Sequence, residues 1–258
     1  MRNGLLIDMD GVIYVGDEMI PGADRFIARL LSDGIPFTFM TNNSQRTPLE
    51  VLRKLKRMGI EASEEHVYTS AMATGKFLAT HAPNGTVYVL GEGGLLTSLH
   101  ENGLTLVETE PDFVVLGEGH NFTLEMVQRA INMILAGAKF IITNRDPSPR
   151  KPGWGNLGIA AVTAMIEEAT GRRAFSIGKP SPVMFRSARK ILDLETEGTT
   201  VIGDTMDTDI QGAVQLDYRT ILVLSGISKK EHLNRYAFKP DMIVPSVGEI
   251  TFPLKWWK

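Results

Sequence analysis

The chain is 258 residues long, which is enough for one sizeable core or for a core with a second unit. A net charge of −3 and a pI near 6.0 provide no basic excess for binding a nucleic acid polymer. The absence of cysteine excludes disulfides, thiolate metal sites and cysteine nucleophiles. No apolar run approaches the roughly 20 residues of a membrane span, and no signal-peptide pattern precedes Asp8, so we expect a cytoplasmic location.

The first predicted strand runs directly into two carboxylates. Residues 5–7 are apolar and predict a buried strand, which is followed by Asp8 and Asp10. Residues two apart on a strand face the same way, so we expect these carboxylates to project together. Gly11 allows the chain to turn sharply after them. Close like charges need a cation or a shared proton, so this pair is a candidate functional site.

Two helices and a second strand follow. Helical spacing of apolar residues covers 23–31, and the apolar stretch at 37–40 predicts a strand that ends in Thr41 and Asn42. A capping threonine with proline at the first helical position predicts a further helix over residues 47–58.

Residues 80–176 are predicted to form an inserted domain, because structureless loops of that length are uncommon. Strands are predicted at residues 87–90, 113–116 and 139–143, and helices at residues 127–135 and 157–166. A faint repeat pairs YVLGEG at residues 88–93 with VVLGEG at residues 114–119. Each copy predicts a strand that turns at glycine, since the pattern does not complete a GxGxxG nucleotide loop.

The last third of the chain repeats the arrangement of strand and polar group. A strand-like stub at residues 175–177 leads to Lys179, and Ser181-Pro182 predicts the start of a helix. The apolar strand at residues 200–203 runs into a second acidic cluster, in which a helix is predicted to start near Thr208. The cluster consists of Asp204, Asp207 and Asp209, of which Asp207 is best explained as a helix-start carboxylate.

Four separate segments therefore place polar groups at or near strand ends. In an open parallel sheet the carboxyl ends of the strands share one crevice, where such folds bind ligands. Carboxylates bind hard cations such as Mg²⁺. The Lys179 ammonium, the Thr41 hydroxyl and the amides after Thr41 suit phosphate oxygens. This set predicts phosphoryl transfer. The five histidines are scattered, and neither a G-x-S-x-G elbow nor a Walker A loop is present.

These segments, in this order, resemble the motifs of the haloacid dehalogenase (HAD) superfamily of phosphotransferases. The string DMDG at residues 8–11 is similar to the first motif, Thr41 to the second and Lys179 to the third, while residues 203–204 with 208–209 resemble the fourth. Further strings resemble the NagD-like branch, which carries a large inserted cap of class IIA; they lie at residues 69–74, 91–93, 178–182 and 221–226. The dehalogenases themselves are disfavoured, because they lack the second aspartate, Asp10.

The resemblance implies an α/β fold with a Rossmann-like, three-layer parallel-sheet core and an inserted α/β cap domain. The discontinuous core would comprise residues 1–79 and 177–258, and the cap residues 80–176. Asp8 would be the nucleophile that forms an aspartyl-phosphate, and Asp10 the general acid and base. Lys179 and Thr41 would complete the catalytic set, and together with Asn42 they would bind the phosphate.

The resemblance also implies a metal and a specificity region. Mg²⁺ would be held by Asp8, Asp204 and the backbone carbonyl of Asp10, with Asp209 as a further ligand or as a residue that orients metal-bound water or Lys179. In the cap, Asn144, Arg145 and Asp146 follow a predicted strand and are candidates for substrate binding. A simple turn before a proline-rich loop is the alternative, and both interpretations stay open. Trp154 could stack on a substrate ring, although packing is the commoner role.

We therefore predict a Mg²⁺-dependent phosphatase of small phosphorylated metabolites, such as nucleoside monophosphates, sugar phosphates or aryl phosphates. A phosphotransferase or mutase that uses an acceptor other than water is one alternative. A non-catalytic regulator that binds phosphometabolites is another, although it would not need both Asp8 and Asp10. The predicted partner is a small phosphate ester, with no nucleic acid polymer and no membrane. A homo-oligomer stays open, and the aromatic tail at residues 252–258 is expected to pack on its own domain.

Overall fold

The structure is a computed structural model that describes residues 2–147 and 158–257; Trp154 lies outside the described residues. The chain divides into two compact units. The first unit comprises Met1–Thr41, Pro48–Tyr68 and Lys179–Lys258, and the second unit comprises Asn42–Thr47 and Thr69–Gly178. The second unit thus begins earlier than residue 80, where the predicted insertion starts, and it also takes in the segment after Thr41. The predicted core and cap boundaries stay a prediction.

The described residues form short strands and helices in alternation. The strands are β1 (Gly4–Ile7), β2 (Tyr14–Val15), β3 (Glu18–Met19), β4 (Phe37–Thr41), β5 (Val67–Thr69), β6 (Thr86–Leu90), β7 (Thr105–Leu106), β8 (Phe113–Leu116), β9 (Lys139–Ile142), β10 (Phe175–Ser176), β11 (Thr199–Gly203), β12 (Arg219–Val223) and β13 (Met242–Val244). The α-helices are α1 (Ala23–Ser32), α2 (Pro48–Arg57), α3 (Ser70–His81), α4 (Gly94–Glu101), α5 (Leu124–Leu135), α6 (Ile159–Thr170), α7 (Pro182–Ile191) and α8 (Gln211–Val214). No helix among these residues is long and apolar enough to cross a membrane.

The first unit is built on a six-stranded sheet with β1 near its centre. The strand order is β13-β12-β11-β1-β4-β5, and β1 pairs in parallel with both β4 and β11. Leu5, Leu6 and Ile7 are fully buried, which explains why the strand reads as a continuous apolar run. The chain builds the sheet outward from β1 in two directions, so the crevice at the carboxyl end of β1 is a topological switch point.

The second unit contains its own five-stranded parallel sheet, in the order β10-β9-β8-β6-β7. The two copies of the sequence repeat form β6 and β8, which are neighbours in this sheet. Their register pairs Tyr88 with Val114 and Leu90 with Leu116, so equivalent positions of the repeat lie side by side. The predicted strands of the insertion are confirmed, whereas α3, α4 and β7 carried too little periodicity to be predicted.

Two further expectations concern the first unit. The helix predicted to start near Thr208 begins instead as a π-helical turn, Met206–Ile210, which continues into α8. The aromatic tail packs on its own unit, as predicted. Phe252 stacks on Phe26 and on Trp257, at centroid distances of 5.7 and 5.1 Å, and the Trp256 indole N–H donates to Thr200 Oγ1 at 3.0 Å.

Candidate active site

A buried ammonium lies between two carboxylates in the first unit. Lys179 Nζ donates a hydrogen bond to Asp8 Oδ1 at 2.5 Å and another to Asp209 Oδ1 at 2.7 Å. The side chain of Lys179 is 4% exposed, and that of Asp209 only 1%. Asp8 directly follows β1, and its backbone N–H donates to the carbonyl of Ile202 on β11. Residues that are 171 positions apart in the chain therefore meet at the end of the central strand.

Asp204 follows β11 and is fixed at both oxygens. Its Oδ2 accepts a hydrogen bond from the backbone N–H of Ile227 at 2.6 Å, and its Oδ1 accepts one from Thr205 Oγ1 at 2.9 Å. Two glycines lie against the same carboxylate. A Cβ built on Gly11 would come within 2.3 Å of Asp204 Oδ2, and one built on Gly226 within 1.9 Å. Only residues without a side chain leave room for Asp204 here.

The π-helical turn after Thr205 places Asp209. The backbone N–H groups of Asp209 and Ile210 both donate to the carbonyl of Thr205, which widens the turn. In return the Thr205 N–H donates to Asp209 Oδ2 at 3.2 Å, which leaves Oδ1 to accept from Lys179. Asp207, in the same turn, accepts a hydrogen bond from the Tyr236 hydroxyl instead. Nothing in the sequence indicated a π-helical turn.

Carboxylate oxygens of Asp8, Asp204 and Asp209 lie within 4.8 Å of one another, and all three residues are buried. Three carboxylates and one ammonium leave an excess of negative charge in a space largely closed to water. A hard divalent cation offsets such charge and prefers oxygen ligands, so the donor set fits Mg²⁺ or a cation of similar chemistry. The three predicted cation-binding carboxylates are thus brought together; Asp10 is predicted to contribute its backbone carbonyl, and its carboxylate is not in this group of described residues.

The pKa values reflect the same excess of negative charge. Burial raises the pKa of Asp8 well above its usual range; the Lys179 ammonium opposes this shift, and the charges on Asp209 and Asp204 add to it. Burial and the nearby Asp209 carboxylate raise the pKa of Asp204 to about 6. Burial lowers the pKa of Lys179, but Asp209 and Asp8 outweigh that effect and raise it above the ordinary value. The ammonium is therefore held firmly in its charged form.

Thr41 lies at a strand end of the first unit, and Asp10 lies three residues beyond the end of β1. Asp10 forms an isolated β-bridge with Tyr14 just before Gly11, whose φ of 80° makes the turn that the sequence predicted. Asp10 is exposed and Asp8 is buried, so the two predicted carboxylates occupy different environments. The strand ends at Ile7, and strand alternation no longer governs the residues that follow it. Thr41 is the last residue of β4 and is 5% exposed.

In the second unit, Asn42, Asn144 and Asp146 form one hydrogen-bonded network. Asn42 Nδ2 donates to Asp146 Oδ1 at 2.9 Å, and Asn144 Nδ2 donates to the carbonyl of Asn42 at 2.8 Å. The Asp146 N–H in turn donates to Asn144 Oδ1 at 2.9 Å. Asn144 is fully buried, so its amide positions the backbone of Asn42. Three of the predicted substrate-binding residues are therefore in contact with one another.

Arg145, the remaining specificity candidate, has a partner within the second unit. Its guanidinium donates to Glu167 Oε1 at 2.5 Å and to the carbonyl of Ala174 at 3.3 Å. Glu167 also pairs with Arg173 and accepts from the Ala174 N–H. These bonds, Arg145 first, lower the pKa of Glu167 to about 2, although burial acts against them. No spacing or pattern in the sequence indicated this ion pair.

The segment after Thr41 is held by the two repeat glutamates, which sequence reasoning did not identify. The Ser44 N–H donates to Glu118 Oε2 at 2.9 Å, and Ser44 Oγ accepts from the Glu118 N–H at 2.8 Å. Gln45 Nε2 donates to Glu92 Oε2 at 3.0 Å. The equivalent glutamates of both Gly-Glu-Gly strings thus bind consecutive residues of one loop. The two glutamates occupy equivalent positions in the two copies of the repeat, and this equivalence was the sequence signal that could have identified them.

A polar cavity of about 360 Å³ opens beside this loop in the second unit. Its polar lining consists of Asn43, Gln45, Glu118, His120, Asn144 and Asp146. Glu118 and His120 follow β8, and Asn144 and Asp146 follow β9, so the cavity lies at the carboxyl ends of these two strands of the second unit. No lysine or arginine is among the described residues that line it. The described lining therefore offers amides, carboxylates and one imidazole, and it suits a ligand that donates hydrogen bonds.

Comparison with known proteins identifies the family to which the chain belongs. The haloacid dehalogenase-like hydrolase family matches residues 5–105, and a HAD-hydrolase-like family matches residues 176–250. The dihydroxyacetone phosphatase of Corynebacterium glutamicum (strain R) is 43% identical over 245 residues, which cover 95% of this chain and 89% of that protein. This chain belongs to the haloacid dehalogenase-like hydrolases. An acid sugar phosphatase of Staphylococcus saprophyticus is 39% identical over 246 residues, 95% of each protein.

The NagD-like branch is also confirmed. Ribonucleotide monophosphatase NagD of Escherichia coli K12 is 36% identical over 248 residues, 95% of this chain and 97% of that protein. The NagD structure from the same strain gives a TM-score of 0.91 at 34% identity, covering 97% of this chain and 99% of that one. The predicted Rossmann-like core with an inserted α/β cap is therefore correct, and the chain is a phosphomonoester hydrolase of the HAD type.

Proposed function

We propose that this chain is a Mg²⁺-dependent phosphatase of small phosphorylated metabolites that works through an aspartyl-phosphate on Asp8. The observation that carries the proposal is the two buried ion pairs that Lys179 forms with Asp8 and Asp209, beside Asp204 and at the carboxyl end of the central strand. The pKa of Asp8 is raised even with the Lys179 ammonium beside it, because burial and the charges on Asp209 and Asp204 outweigh that ammonium, so a bound cation would also be needed to keep Asp8 ionised as a nucleophile.

Asp8 and Asp10 divide the chemistry between them. A carboxylate oxygen of Asp8 attacks phosphorus, and the bond from phosphorus to the leaving oxygen breaks as Asp10 gives that oxygen its proton. Asp10, now a carboxylate, takes a proton from the water that attacks the aspartyl-phosphate. The phosphorus–oxygen bond to Asp8 then breaks, which releases phosphate and restores both aspartates. The buried nucleophile and the exposed acid–base residue suit these two roles.

The other residues hold the phosphate and the cation. Lys179, the Thr41 hydroxyl and the backbone amide of Asn42 would bind the phosphoryl oxygens. Mg²⁺ would be held by the carboxylates of Asp8 and Asp204 and by the backbone carbonyl of Asp10. The Asp209 carboxylate would contact the cation directly or through a water molecule. When bound, Mg²⁺ would offset the negative charge between the carboxylates and the substrate and polarise the phosphoryl group.

The polar cavity of the second unit supports a small, hydroxylated leaving group. Asn43 lines the cavity and follows Thr41 by two residues, so chain connectivity keeps their Cα atoms within about 7 Å of each other. Substrate hydroxyls would donate to Asp146 and Glu118 and exchange hydrogen bonds with Gln45. Arg145 is 42% exposed and stays a candidate for substrate contact. We expect triose and sugar phosphates to exceed nucleoside monophosphates in kcat/KM.

Two variants test the proposed intermediate with p-nitrophenyl phosphate, whose leaving group needs no proton. Asp8→Asn keeps the shape of the nucleophile but removes its charge, so release of nitrophenolate should stop. Asp10→Asn should still form the aspartyl-phosphate but hydrolyse it slowly, giving one burst of nitrophenolate per chain. Mass spectrometry of the acid-quenched protein should then show one added phosphoryl group. Turnover should cease with a chelator and return with Mg²⁺.

The matched control is Asp207→Asn, because Asp207 lies in the same acidic cluster but bonds to Tyr236. It should keep kcat within about two-fold of the wild-type value, as expected of a surface change. Unimpaired turnover by Asp8→Asn would contradict the nucleophile assignment. Product formation that depends on an added sugar acceptor would point to a phosphotransferase, and tight ligand binding without turnover would point to a regulator.

A further inference from the structure

A second cavity, of about 570 Å³, lies at the opposite end of the second unit's sheet. Phe113, Lys139 and Phe175, the first residues of β8, β9 and β10, are among its lining residues. The polar cavity adjoins the carboxyl ends of the same strands, and the length of β9 separates the two ends by roughly 10 Å. We call this second space the aromatic cavity, and it is distinct from the proposed leaving-group site.

The charged side chains that line the aromatic cavity are basic, although the Asp112 carboxylate just outside the lining interacts with Lys139. His81, Lys139, Arg172 and Arg173 line it, and no acidic residue is among the described residues that do so. Arg173 is already paired with Glu167, at 3.1 Å. The Arg172 guanidinium, in contrast, forms no ion pair within the described part of the chain. The chain as a whole carries a net charge of −3, so this local excess of positive charge is not a general property of its surface.

Aromatic rings form one wall of the aromatic cavity. Phe77 stacks on His81 at a centroid distance of 4.2 Å and on Phe175 at 5.3 Å, which gives a row of three nearly parallel rings. Phe175 ends this row and remains 48% exposed, although it is a large apolar side chain. Across the cavity, Lys139 Nζ lies 5.2 Å from the centroid of Phe113. A further flat ring can extend the row and place an anionic substituent near the cations.

We propose that the aromatic cavity is a second binding site, which takes a small planar aromatic anion. Its volume falls within the range of small-molecule sites, about 300–1,000 Å³. Ring and charge are both required: the stacked rings provide the apolar face, and Arg172 and Lys139 attract the anionic group. The site is separate from the proposed leaving-group site, because the two cavities lie at opposite ends of the second unit's strands.

The probe is naphthalene-1-sulfonate, which has a ring and a charge but no phosphoryl group. Binding is measured by isothermal titration calorimetry on the full chain, in saturating inorganic phosphate and Mg²⁺ so that the proposed phosphate site is filled. Methanesulfonate tests the charge alone, and naphthalene-1-sulfonamide tests the ring alone. We expect one sulfonate to bind per chain, with a Kd at least about ten-fold below those of both comparison probes.

Three variants localise the binding. Arg172→Gln removes the unpaired cation and Phe175→Leu removes the exposed ring, and each should raise the Kd about five-fold. Both side chains are exposed, so folding should be kept. Arg57→Gln makes the same charge change on an exposed residue of α2 and should leave the Kd unchanged.

The proposal is overturned if the wild type shows no saturable binding, or if Arg172→Gln and Phe175→Leu bind like Arg57→Gln. Sulfonate binding that appears only when inorganic phosphate is left out would also overturn it, because the probe would then occupy the proposed phosphate site.

Discussion

Replacing Gly226 with alanine should disable the catalytic site without unfolding the protein. The new Cβ would lie 1.9 Å from Asp204 Oδ2 and 2.5 Å from its Cγ, whereas real Cβ atoms essentially never come closer than 3.0 Å to such neighbours. Gly226 is not among the residues with a positive φ, so its backbone accepts alanine. The strain therefore falls on the Asp204 carboxylate, which has to move by at least about 1 Å.

The expected loss of catalytic activity follows from the displacement of the Asp204 carboxylate. Moving Asp204 breaks the 2.6 Å hydrogen bond from the Ile227 N–H and takes a proposed metal ligand out of position. A misplacement of about 1 Å at a reacting centre costs on the order of 100-fold in rate. We therefore expect kcat/KM for p-nitrophenyl phosphate to fall about 100-fold, which corresponds to roughly 2.7 kcal/mol of transition-state stabilisation. The Mg²⁺ concentration for half-maximal activity should rise as well.

The matched control is Gly59→Ala in the same unit. Gly59 has a φ of 77°, and a Cβ built on it meets nothing within 4 Å. Alanine there should cost about 1 kcal/mol of folding free energy through backbone strain and leave kcat unchanged. Activity is measured across a Mg²⁺ titration, and thermal unfolding is followed by circular dichroism. A folded Gly226→Ala protein with kcat/KM within about three-fold of wild type would refute the steric reasoning.

Further predictions concern stability, each measured by urea unfolding. Ser44→Ala removes the acceptor of the Glu118 N–H and should cost about 1–2 kcal/mol of unfolding free energy, whereas an unchanged midpoint would show that water replaces the bond. Glu167 has a pKa of about 2 against an ordinary 4.5, so its stabilisation is complete above about pH 5 and is lost as the pH falls toward 2. Glu167→Gln should therefore lower the free energy of unfolding by about 2 kcal/mol at pH 7, and the difference from wild type should shrink below pH 4.5. A difference that does not depend on pH would contradict this prediction. Trp256→Phe removes the N–H donor to Thr200 and should cost about 1 kcal/mol, and no loss would mean that packing alone holds the tail.

The predicted catalytic residues were accessible to sequence reasoning because each follows an apolar strand. Parallel strands bring their carboxyl ends to one edge of a sheet, so Asp8, Thr41 and Asp204 needed no long-range information beyond the fold class. Lys179 was harder, because a lone lysine is more often a surface residue. Its position in the ordered set of motifs singled it out, and the structure pairs it with Asp8 and Asp209.

Other features of the site depend on tertiary packing that no local pattern records. The sequence does not reveal that Gly11 and Gly226 adjoin the same carboxylate, because this contact joins two loops far apart in the chain. The burial of Asp8 and the exposure of Asp10 depend on where β1 ends. The Arg145–Glu167 pair likewise joins a strand end to a helix 22 residues away, and neither residue has a spacing that predicts it.

Single peptide bonds join two of the proposed catalytic residues to the second unit. Thr41 belongs to the first unit and Asn42 to the second, and the same holds for Lys179 and Gly178. Two of the groups proposed to bind phosphate therefore stand at the points where the chain passes between the units. Because Glu92 and Glu118 hold the loop after Thr41, the second unit constrains the amide of Asn42 as well as lining a cavity. Replacing Glu92 or Glu118 should consequently lower turnover, although neither residue belongs to the first unit.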